Sequence, residues 1–521
     1  MWKAQGRTIR WCWGLACLLI GLCLLYYLGV YAIRANALLR FPFDYDQGEG
    51  YDVNSAWLLS RGESIYGSPD RYPFYSSNYP PVYALLLAPL VAAFGPQLAL
   101  GRALSLAATA LAVVTIAAAV HTETGRWRPA VGAGLFFLAS PYVYHVTPLA
   151  RINALMVALA LLGVFAVSQG ARAKGASALA WLAAGGALLL GAAYTRQTAL
   201  DAVGAALLYL MLRNWRRGLA LGLTVLGLGA ALYLWLDAAT EGGFSLNVFW
   251  ANANPFSREQ ALAYWRNFLA VHPLLVLAGA VVLVGGLAHR GLKGLSAYGL
   301  YFLASLGVAV GVGKWGAGES YFLGAIAAGC VLLGQAWGWL EATVGRLLAA
   351  APPFGGRRWR AMLAAGGLVV VAGALFVVQL RCAWHGPLEQ PDWGLYDRGL
   401  QADVLSRLPT EEDLLAGEQI VEHIRQVRGD VLAEECGFVL AAGRPVLGNA
   451  TQQLNLYEAG LHDPAALVAA LHAGRISLVV LNAERYPAPV LRAIGQNYHT
   501  ITLYEMNGFH YRVLQCNECR A

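Results

Sequence analysis

The sequence predicts a polytopic α-helical membrane protein of about 11 spans, followed by a small soluble α/β domain. The 521-residue chain is 58% hydrophobic and only 13% charged, whereas a soluble domain carries roughly 25% charged residues. Apolar runs of the length that crosses a bilayer, about 20 residues, recur from Trp11 to Leu380. Beyond residue 382 the runs become short and alternate with polar segments, as in a soluble domain.

The N-terminus begins with the basic stretch "MWKAQGRTIRW" and continues into a long apolar run. A signal-peptide core has roughly 7–15 apolar residues and a small-x-small cleavage site after it. This run is longer, and no such site follows it. The sequence therefore predicts a retained first span with a cytoplasmic N-terminus.

Ten further runs are predicted to cross the membrane. They are 98–120, 129–147, 152–168, 177–194, 198–212, 218–237, 272–288, 294–313, 318–340 and 361–380. Another run, "PPVYALLLAPLVAAFG" (80–95), has Pro at its start and in its interior. As a helix it would extend about 22 Å, short of a bilayer core of roughly 30 Å. We interpret it as a re-entrant or interfacial helix.

Positive charge supports this topology. If 80–95 does not cross, the basic loops all face the cytoplasm, which is the distribution that the positive-inside rule predicts. Those loops carry Arg126, Arg128, Arg172, Lys174, Arg213, Arg216, Arg217, Arg290, Lys293, Arg346, Arg357, Arg358 and Arg360. The C-terminal segment then lies outside the cytoplasm, and the protein is expected in the inner (plasma) membrane.

Two domains follow. Residues 1–382 form the predicted membrane domain with a long first outer loop (34–97), and residues 383–521 form the extracytoplasmic α/β domain. Within the latter, "ISLVVLN" (476–482) is typical of a buried strand, and "PAALVAALHAG" (464–474) of a helix that Gly ends. The segment "GFVLAAGRPVLG" (437–448) predicts a strand or a short helix with a turn. "CNEC" at the end favours a disulfide or free thiols over zinc, because no second ligand pair stands nearby.

The first outer loop opens with "FPFDYDQGEGYD" (41–52), which gathers Asp44, Asp46, Glu49 and Asp52 beside a span. Such carboxylates could act as a general base, hold a divalent cation, or pair with Arg. Ordinary solvation is the simplest reading of an acidic loop. The position beside the membrane and the "GEG" stretch, which lets a ligand approach the backbone, favour a site.

Cationic side chains occur on the same predicted face. Arg102, Arg151 and Arg196 stand at the outer ends of spans, and "GVGKWGAGESYF" adds Lys314 and Glu319 at a Gly-rich turn. A single Arg at a span end is usually an anchor that reaches for the interface. Several around one acidic loop predict a phosphate site, because Arg binds phosphate oxygens in a bidentate manner.

Carboxylates and phosphate-binding cations at a lipid interface favour one reaction class. A lipid-linked phospho-sugar would bind with its tail among the spans. A carboxylate would take the proton of an acceptor hydroxyl, which would attack the anomeric carbon while the lipid phosphate leaves.

The segments "DYDQGEGYDVNSAWLLSRGESIY" and "NYPPVYALLLAPLVAAFGPQLALGRALSLAA" resemble the start of GT-C superfamily membrane glycosyltransferases. The bacterial branch related to protein mannosyltransferase and aminoarabinose transferase families is the most similar. "ARINALMVALALL", "AYTRQTAL" and "KWGAGESYFL" resemble that branch's R-x-D-x-L, K-Q-T and G-x-x-x-N-Y stretches. The likeness covers about residues 10–340.

The resemblance implies inverting transfer from a polyprenyl-phosphate sugar, with an acidic residue of the first outer loop as base. Carried over, the base is Asp46 or Glu49, with Asp44 in reserve. The substrate-binding residues would be Asn78, Tyr79, Arg102, Arg151, Arg196, Lys314 and Glu319. The acceptor would be a glycan, a lipid or a protein. No cofactor is implied, and a divalent cation is left open.

This chain departs from the branch at several positions. Gln47 replaces the acid of the D-E pair, Asn153 replaces the Asp of R-x-D, Arg196 replaces Lys, and Ser320 replaces Asn. Two other readings stay open: a transporter or flippase for a lipid-linked sugar, and a non-catalytic scaffold with the same fold. Membrane lipids are expected partners. The net charge of +7 does not indicate nucleic acid, because Arg and Lys sit mainly in short loops.

Overall fold

The computed structural model describes residues 2–45, 48–252, 254–350, 356–385 and 408–519. Helices account for most of the part before residue 386. Their bounds are α1 (Trp2–Arg40), α2 (Glu49–Ser60), α3 (Val82–Phe94), α4 (Leu98–Thr124), α5 (Trp127–Leu138), α6 (Pro141–Val146), α7 (Ile152–Arg172), α8 (Gly175–Ala193), α9 (Leu200–Arg213), α10 (Trp215–Ala239), α11 (Gly243–Val248), α12 (Arg258–Val271), α13 (Pro273–Arg290), α14 (Ala297–Ala309), α15 (Leu323–Ala350) and α16 (Gly356–His385).

Each predicted span corresponds to a helix, although not every helix is long. Among the described residues, 8 helices are long and apolar enough to cross a membrane. The other three predicted spans correspond to shorter helices. Two of them are α9 and α14, and the third is divided into α5 and α6, with Pro141 as the first residue of α6. The prediction of a polytopic helical membrane protein is thereby confirmed, while length and composition alone support fewer spans than the predicted number.

The segment 80–95 forms α3, which has 13 residues, contains Pro89 and ends at Gly95 in a positive-φ conformation (φ 82°). It is among the shorter apolar helices and does not have the length of a span. At the other side of the first outer loop, α1 continues to Arg40, so the loop begins at Phe41 rather than at residue 34.

Basic residues in the predicted cytoplasmic loops contact residues near the ends of neighbouring helices. Arg126 pairs with Glu341 at 3.1 Å, and Arg172 pairs with Glu123. Arg213 donates to the Leu295 carbonyl oxygen at 3.1 Å. These contacts bring the ends of α4, α5, α7, α9, α14 and α15 together on the face opposite the first outer loop, as the alternation of loop charge predicts.

The C-terminal unit is a small α/β sheet structure. Its helices are α17 (Glu411–Gln426), α18 (Gly437–Ala441), α19 (Ala450–Glu458), α20 (Ala465–His472) and α21 (Ala488–Asn497), and its strands are β1 (Asp430–Ala433), β2 (Ile476–Leu481), β3 (Tyr498–Met506) and β4 (Phe509–Cys516). The strand order is β1-β2-β4-β3, with β1 and β2 parallel and the other pairs antiparallel.

The local predictions for this unit agree with the structure. Every residue of β2 is buried, as expected for the apolar run 476–482. Helix α20 ends before Gly474, whose φ of 65° is the left-handed conformation that stops a helix. The open choice at 437–448 resolves into the short helix α18 and a turn at Gly443. Cys516 and Cys519 are free thiols.

The C-terminal unit packs directly on the first outer loop. The Gly448 N–H donates to the Pro73 carbonyl oxygen at 2.9 Å, and Asn449 Nδ2 donates to the Ser76 carbonyl oxygen at 3.2 Å. Tyr51 Oη donates to the Glu434 carbonyl oxygen at 3.0 Å. Apolar residues of α17, α18 and β4 share one continuous core with the loop and the membrane helices. The C-terminal unit therefore covers this face of the bundle, and we call it the roof.

Candidate functional site

A cavity of about 700 Å³ lies between the roof and the helix ends. Four connections between helices, the first outer loop and the C-terminal unit all contribute to its wall. Its charged lining residues are Asp52, His145, Arg151, Arg196, Lys314, Glu319 and Arg485. This convergence is what the predicted topology requires, because these residues are far apart in sequence and meet only if their loops share one face.

Among the acidic residues of the first outer loop that the structure describes, Asp52 lines the cavity. Its Oδ2 lies 3.1 Å from Arg151 Nε, with 8% of the Asp52 side chain exposed. The two atoms are close but do not make an aligned hydrogen bond. Burial raises the pKa of Asp52 to about 7, against the opposing charge of Arg151 and with a further increase from Glu49. A carboxyl that titrates near neutrality is suited to accept a proton.

Gly48 allows Arg151 to reach this position. It caps the start of α2 with a φ of 103°, a conformation that favours glycine. A Cβ at this position would lie 2.6 Å from Arg151 Nη1. Arg151 Nη2 also donates to Tyr79 Oη at 3.4 Å, so the guanidinium is held between the two ends of the first outer loop.

Among the described residues, Arg196 is held by neutral oxygens rather than by a carboxylate. It precedes α9, and its Nη1 donates to Asn153 Oδ1 at 2.6 Å and to Ser320 Oγ at 3.1 Å. The guanidinium carbon lies 4.8 Å from the centre of the Tyr321 ring. These contacts orient the group without neutralising it, and its charge contributes to the field at Asp52. Such an arginine can bind an anion.

Lys314 and Glu319 come from the Gly-rich turn before α15. Lys314 Nζ donates to the Asn252 carbonyl oxygen at 3.3 Å, and Gln260 Nε2 fixes the Lys314 carbonyl oxygen at 2.8 Å. Glu319 forms a buried pair with His145 Nδ1. Lys314 is partly exposed to the cavity, whereas Glu319 is 5% exposed.

A base and a ligand of the donor phosphate would have to lie on the cavity wall. Glu49 and Arg102, for which the sequence predicts these roles, do not line it. Arg102 Nε and Nη2 donate to the two Glu49 oxygens, each at 2.8 Å, and neither side chain is exposed. The backbone N–H groups of Ala150 and Tyr45 donate to the same carboxylate at 2.7 and 2.8 Å. Burial opposes ionisation of Glu49, but Arg102 and these donors outweigh it and lower its pKa.

Arg102 is occupied on its other side as well. It donates to the carbonyl oxygens of Leu38, Phe41 and Phe43, which end α1 and begin the loop. An arginine with five such acceptors has no donor left for a substrate. The pair therefore fixes the path of the loop rather than facing a ligand.

Asp44 also lies away from the cavity, at the junction with the C-terminal unit. Its Oδ1 accepts from the Gly50 N–H at 2.6 Å and its Oδ2 from the Gly437 N–H at 2.8 Å. Burial, with the nearby charges of Glu435 and Glu49, raises the pKa of Asp44 to about 8. A side chain at Gly437 would overlap this carboxylate.

Six of the predicted residues meet in the cavity, namely Asn78, Tyr79, Arg151, Arg196, Lys314 and Glu319. Asp46 lies outside the described residues. Sequence reasoning named Asp52 within the acidic segment but did not select it, and missed His145. Spacing could have favoured Asp52, because it lies one helical turn after Glu49. Among the described residues, no three His, Cys, Asp or Glu side chains converge to hold a metal.

Comparison with solved structures shows that the chain shares its fold, at low sequence identity, with an ArnT and with an oligosaccharyltransferase. ArnT from Cupriavidus metallidurans bound to undecaprenyl phosphate matches at a TM-score of 0.57 and 15% identity, over 95% of this chain and 99% of that one. Its apo state gives 0.58 and 14%, over 94% and 97%.

A second type of protein shares the fold. The archaeal oligosaccharyltransferase AglB from Archaeoglobus fulgidus, in complex with an inhibitory peptide and a dolichol-phosphate, matches at a TM-score of 0.51 and 12% identity, over 94% of this chain and 74% of that one. No protein-family model and no curated protein sequence matches the chain. The resemblance to GT-C glycosyltransferases is thus confirmed at the level of the fold.

Proposed function

We propose that this protein is a membrane glycosyltransferase that moves a sugar from a polyprenyl-phosphate donor to a hydroxyl acceptor, with inversion, on the extracytoplasmic face. The observation that carries the proposal is the meeting of Asp52 with Arg151, Arg196 and Lys314 in one cavity at the ends of the membrane helices. An acid that titrates near neutrality and a set of cations are the two components that such a transfer needs.

The donor phosphate is bound by Arg196 and Lys314. The described hydrogen-bond partners of Arg196, Asn153 and Ser320, are neutral and therefore do not offset its charge. Lys314 is partly exposed and lines the same cavity. The phosphate gains negative charge as the bond to the anomeric carbon breaks, and fixed cations stabilise that charge more than they stabilise the ground state.

Asp52 is the general base in this mechanism. Its carboxylate accepts the proton of the acceptor hydroxyl while the oxygen attacks the anomeric carbon from the side opposite the phosphate. Arg151, at 3.1 Å, orients the carboxylate and partly offsets the effect of burial, which favours the protonated form. Asp46, a candidate base in the sequence analysis, remains the alternative to Asp52. The proposed mechanism has no step that uses a divalent cation.

Glu49, Arg102 and Asp44 act through the position of the loop. The Glu49–Arg102 pair anchors the start of α2, on which Asp52 stands one turn later. Asp44 joins that same turn to Gly437 of the roof. We place the N-terminus in the cytoplasm and the C-terminal unit outside, in the inner (plasma) membrane.

Transfer by the purified protein tests the proposal. Undecaprenyl phosphates that carry a radiolabelled hexose or pentose are supplied with glycan, lipid and peptide acceptors, and Asp52→Asn serves as the matched control. The expected result is labelled product from wild type and at least about 10²-fold less from the variant. Movement of the intact lipid-linked sugar across vesicles without transfer would instead support the flippase.

A further inference from the structure

His145 is a cavity residue that the proposed mechanism does not use. It stands in α6, is 8% exposed, and contributes to the wall that also holds Arg196 and Asp52. Its Nδ1 contacts Glu319 Oε1 in a buried pair. Nε2 is then the ring nitrogen left for a ligand, and among the described residues no hydrogen bond to it is found.

The pair lies beside the arginine assigned to the phosphate. Glu319 is followed directly by Ser320, whose Oγ accepts from Arg196 Nη1 at 3.1 Å. Both contacts are made by one short 3-10 helix, Glu319–Phe322. An anion bound by Arg196 on this side of the cavity would therefore lie against the same 3-10 helix that contacts the imidazole.

On this basis, and resting on the proposed function, we propose that His145 is a donor-phosphate ligand: its protonated ring donates Nε2–H to a phosphate oxygen while Glu319 accepts from Nδ1. Neutral histidine with Nδ1 donating to Glu319 would present a lone pair to the phosphate and could not donate. Binding of the donor then takes up a proton, so affinity falls as the pH rises.

Other charged groups face the same region and must be separated from His145 in a test. Glu319 comes from the 3-10 helix and Arg196 from the connection before α9. Asp52 and Arg151 lie across the cavity. On the side of α1, Arg34 stacks on Tyr144 of the same helix as His145, with the guanidinium 4.7 Å from the ring centre. Of these, Asp52 has a pKa raised to about 7 by burial, and its ionised carboxylate would itself weaken anion binding at high pH.

The experiment measures binding of the monomethyl ester of undecaprenyl phosphate from pH 6 to pH 8. This phosphodiester keeps one charge over the range, so its own titration does not contribute, and it carries no sugar that must be guessed. Histidine changes its charge between about pH 5 and 8. In an Asp52→Asn background, the ester should bind about tenfold more tightly at the low end than at the high end.

Two further variants complete the test. Adding His145→Gln to Asp52→Asn should remove the dependence on pH, with affinity at pH 6 falling to the level seen at pH 8. Adding Glu319→Gln instead keeps the ring, so the dependence on pH should remain, which distinguishes His145 from Glu319 as its source.

The outcomes separate the two proposals. Equal pH dependence with and without His145 would show that the ring only supports Glu319, and this inference would fail while the proposed function stood. Absence of ester binding to wild type at every pH would overturn the polyprenyl-phosphate donor, and the role of His145 with it.

Discussion

Asp52 and Arg151 form an ion pair of 3.1 Å on the wall of the cavity, and one turn earlier on the same helix Glu49 is closed off by Arg102. The two acids thus have opposite settings within a single turn of α2. One carboxyl has a pKa raised to about 7 by burial, and the other has a pKa lowered by its arginine and backbone donors. Environments of this kind separate a reacting acid from a structural one.

Asp52→Asn should lower turnover by at least about 10²-fold with the fold intact. In the wild type, kcat at saturating donor should rise as the pH increases through about 7, since the base must be ionised to accept a proton. Initial rates from pH 5.5 to 8.5, with thermal unfolding as a control for folding, provide the measurement. Wild-type rates for Asp52→Asn would exclude Asp52 as the base and leave Asp46 as the candidate.

Glu49→Gln should lower stability rather than act on the chemical step alone. Removing one partner of a buried ion pair costs about 3–5 kcal/mol, because the other charge is left uncompensated. The double variant Glu49→Gln with Arg102→Met should recover part of that loss. Thermal unfolding of the detergent-solubilised protein measures it. If Glu49→Gln unfolds like wild type but has no turnover, Glu49 is the base.

Arg196→Ala should weaken binding of undecaprenyl phosphate by about tenfold or more, since a charge-assisted hydrogen bond to phosphate is lost. Arg196→Lys is the matched control, because it keeps the charge but cannot bridge Asn153 and Ser320 as the guanidinium does. The affinity of Arg196→Lys for undecaprenyl phosphate should lie between that of the wild type and that of Arg196→Ala. An unchanged dissociation constant for the alanine variant would contradict the role of Arg196 in donor binding.

The junction at Asp44 should weaken as the pH rises toward about 8. Its folded pKa lies above the ordinary value of roughly 3.9, so the folded state holds a proton that the unfolded state releases. Stability from this group is therefore greatest at low pH and is lost as the pH rises through the folded pKa. Limited proteolysis of the C-terminal unit at pH 6 and pH 9 should show the difference, and Asp44→Asn should reduce it.

A single cysteine at Gln97, next to Pro96, tests the topology. Gln97 is exposed between α3 and α4, and if α3 does not cross, an impermeant thiol reagent should label it from outside the cell. Arg128→Cys, in the exposed first turn of α5, should be labelled only once the cytoplasmic side is opened. The reverse labelling pattern would mean that α3 crosses the membrane and that every loop after it lies on the opposite side from the one predicted.

Much of the fold could be predicted because hydrophobic length and loop charge report on each segment separately. The helix positions, the basic face and the buried strand β2 all follow from local patterns. The three predicted spans that the structure shortens or divides were harder, since hydropathy does not indicate the break between α5 and α6 that precedes Pro141.

The site could be predicted only in part. Arg151, Arg196 and Lys314 were identified because charge beside a span is costly and stands out. The choice among the acids of the first outer loop depends on which one Arg102 captures, a contact between residues 49 and 102 that sequence does not display. His145 was missed because a histidine in an apolar run carries no sign of its partner Glu319.

The fixed roof has a consequence for how the protein is made. Asp44 and Gly437 are joined by a hydrogen bond across 393 positions, and Asn449 and Asn455 of α19 complete the cavity wall. A nascent chain that has inserted all its membrane helices still lacks that wall. Under the proposed function and topology, catalytic competence is therefore delayed until the last part of the polypeptide has been translated and exported, and a truncated product would be inserted in the bilayer yet inert.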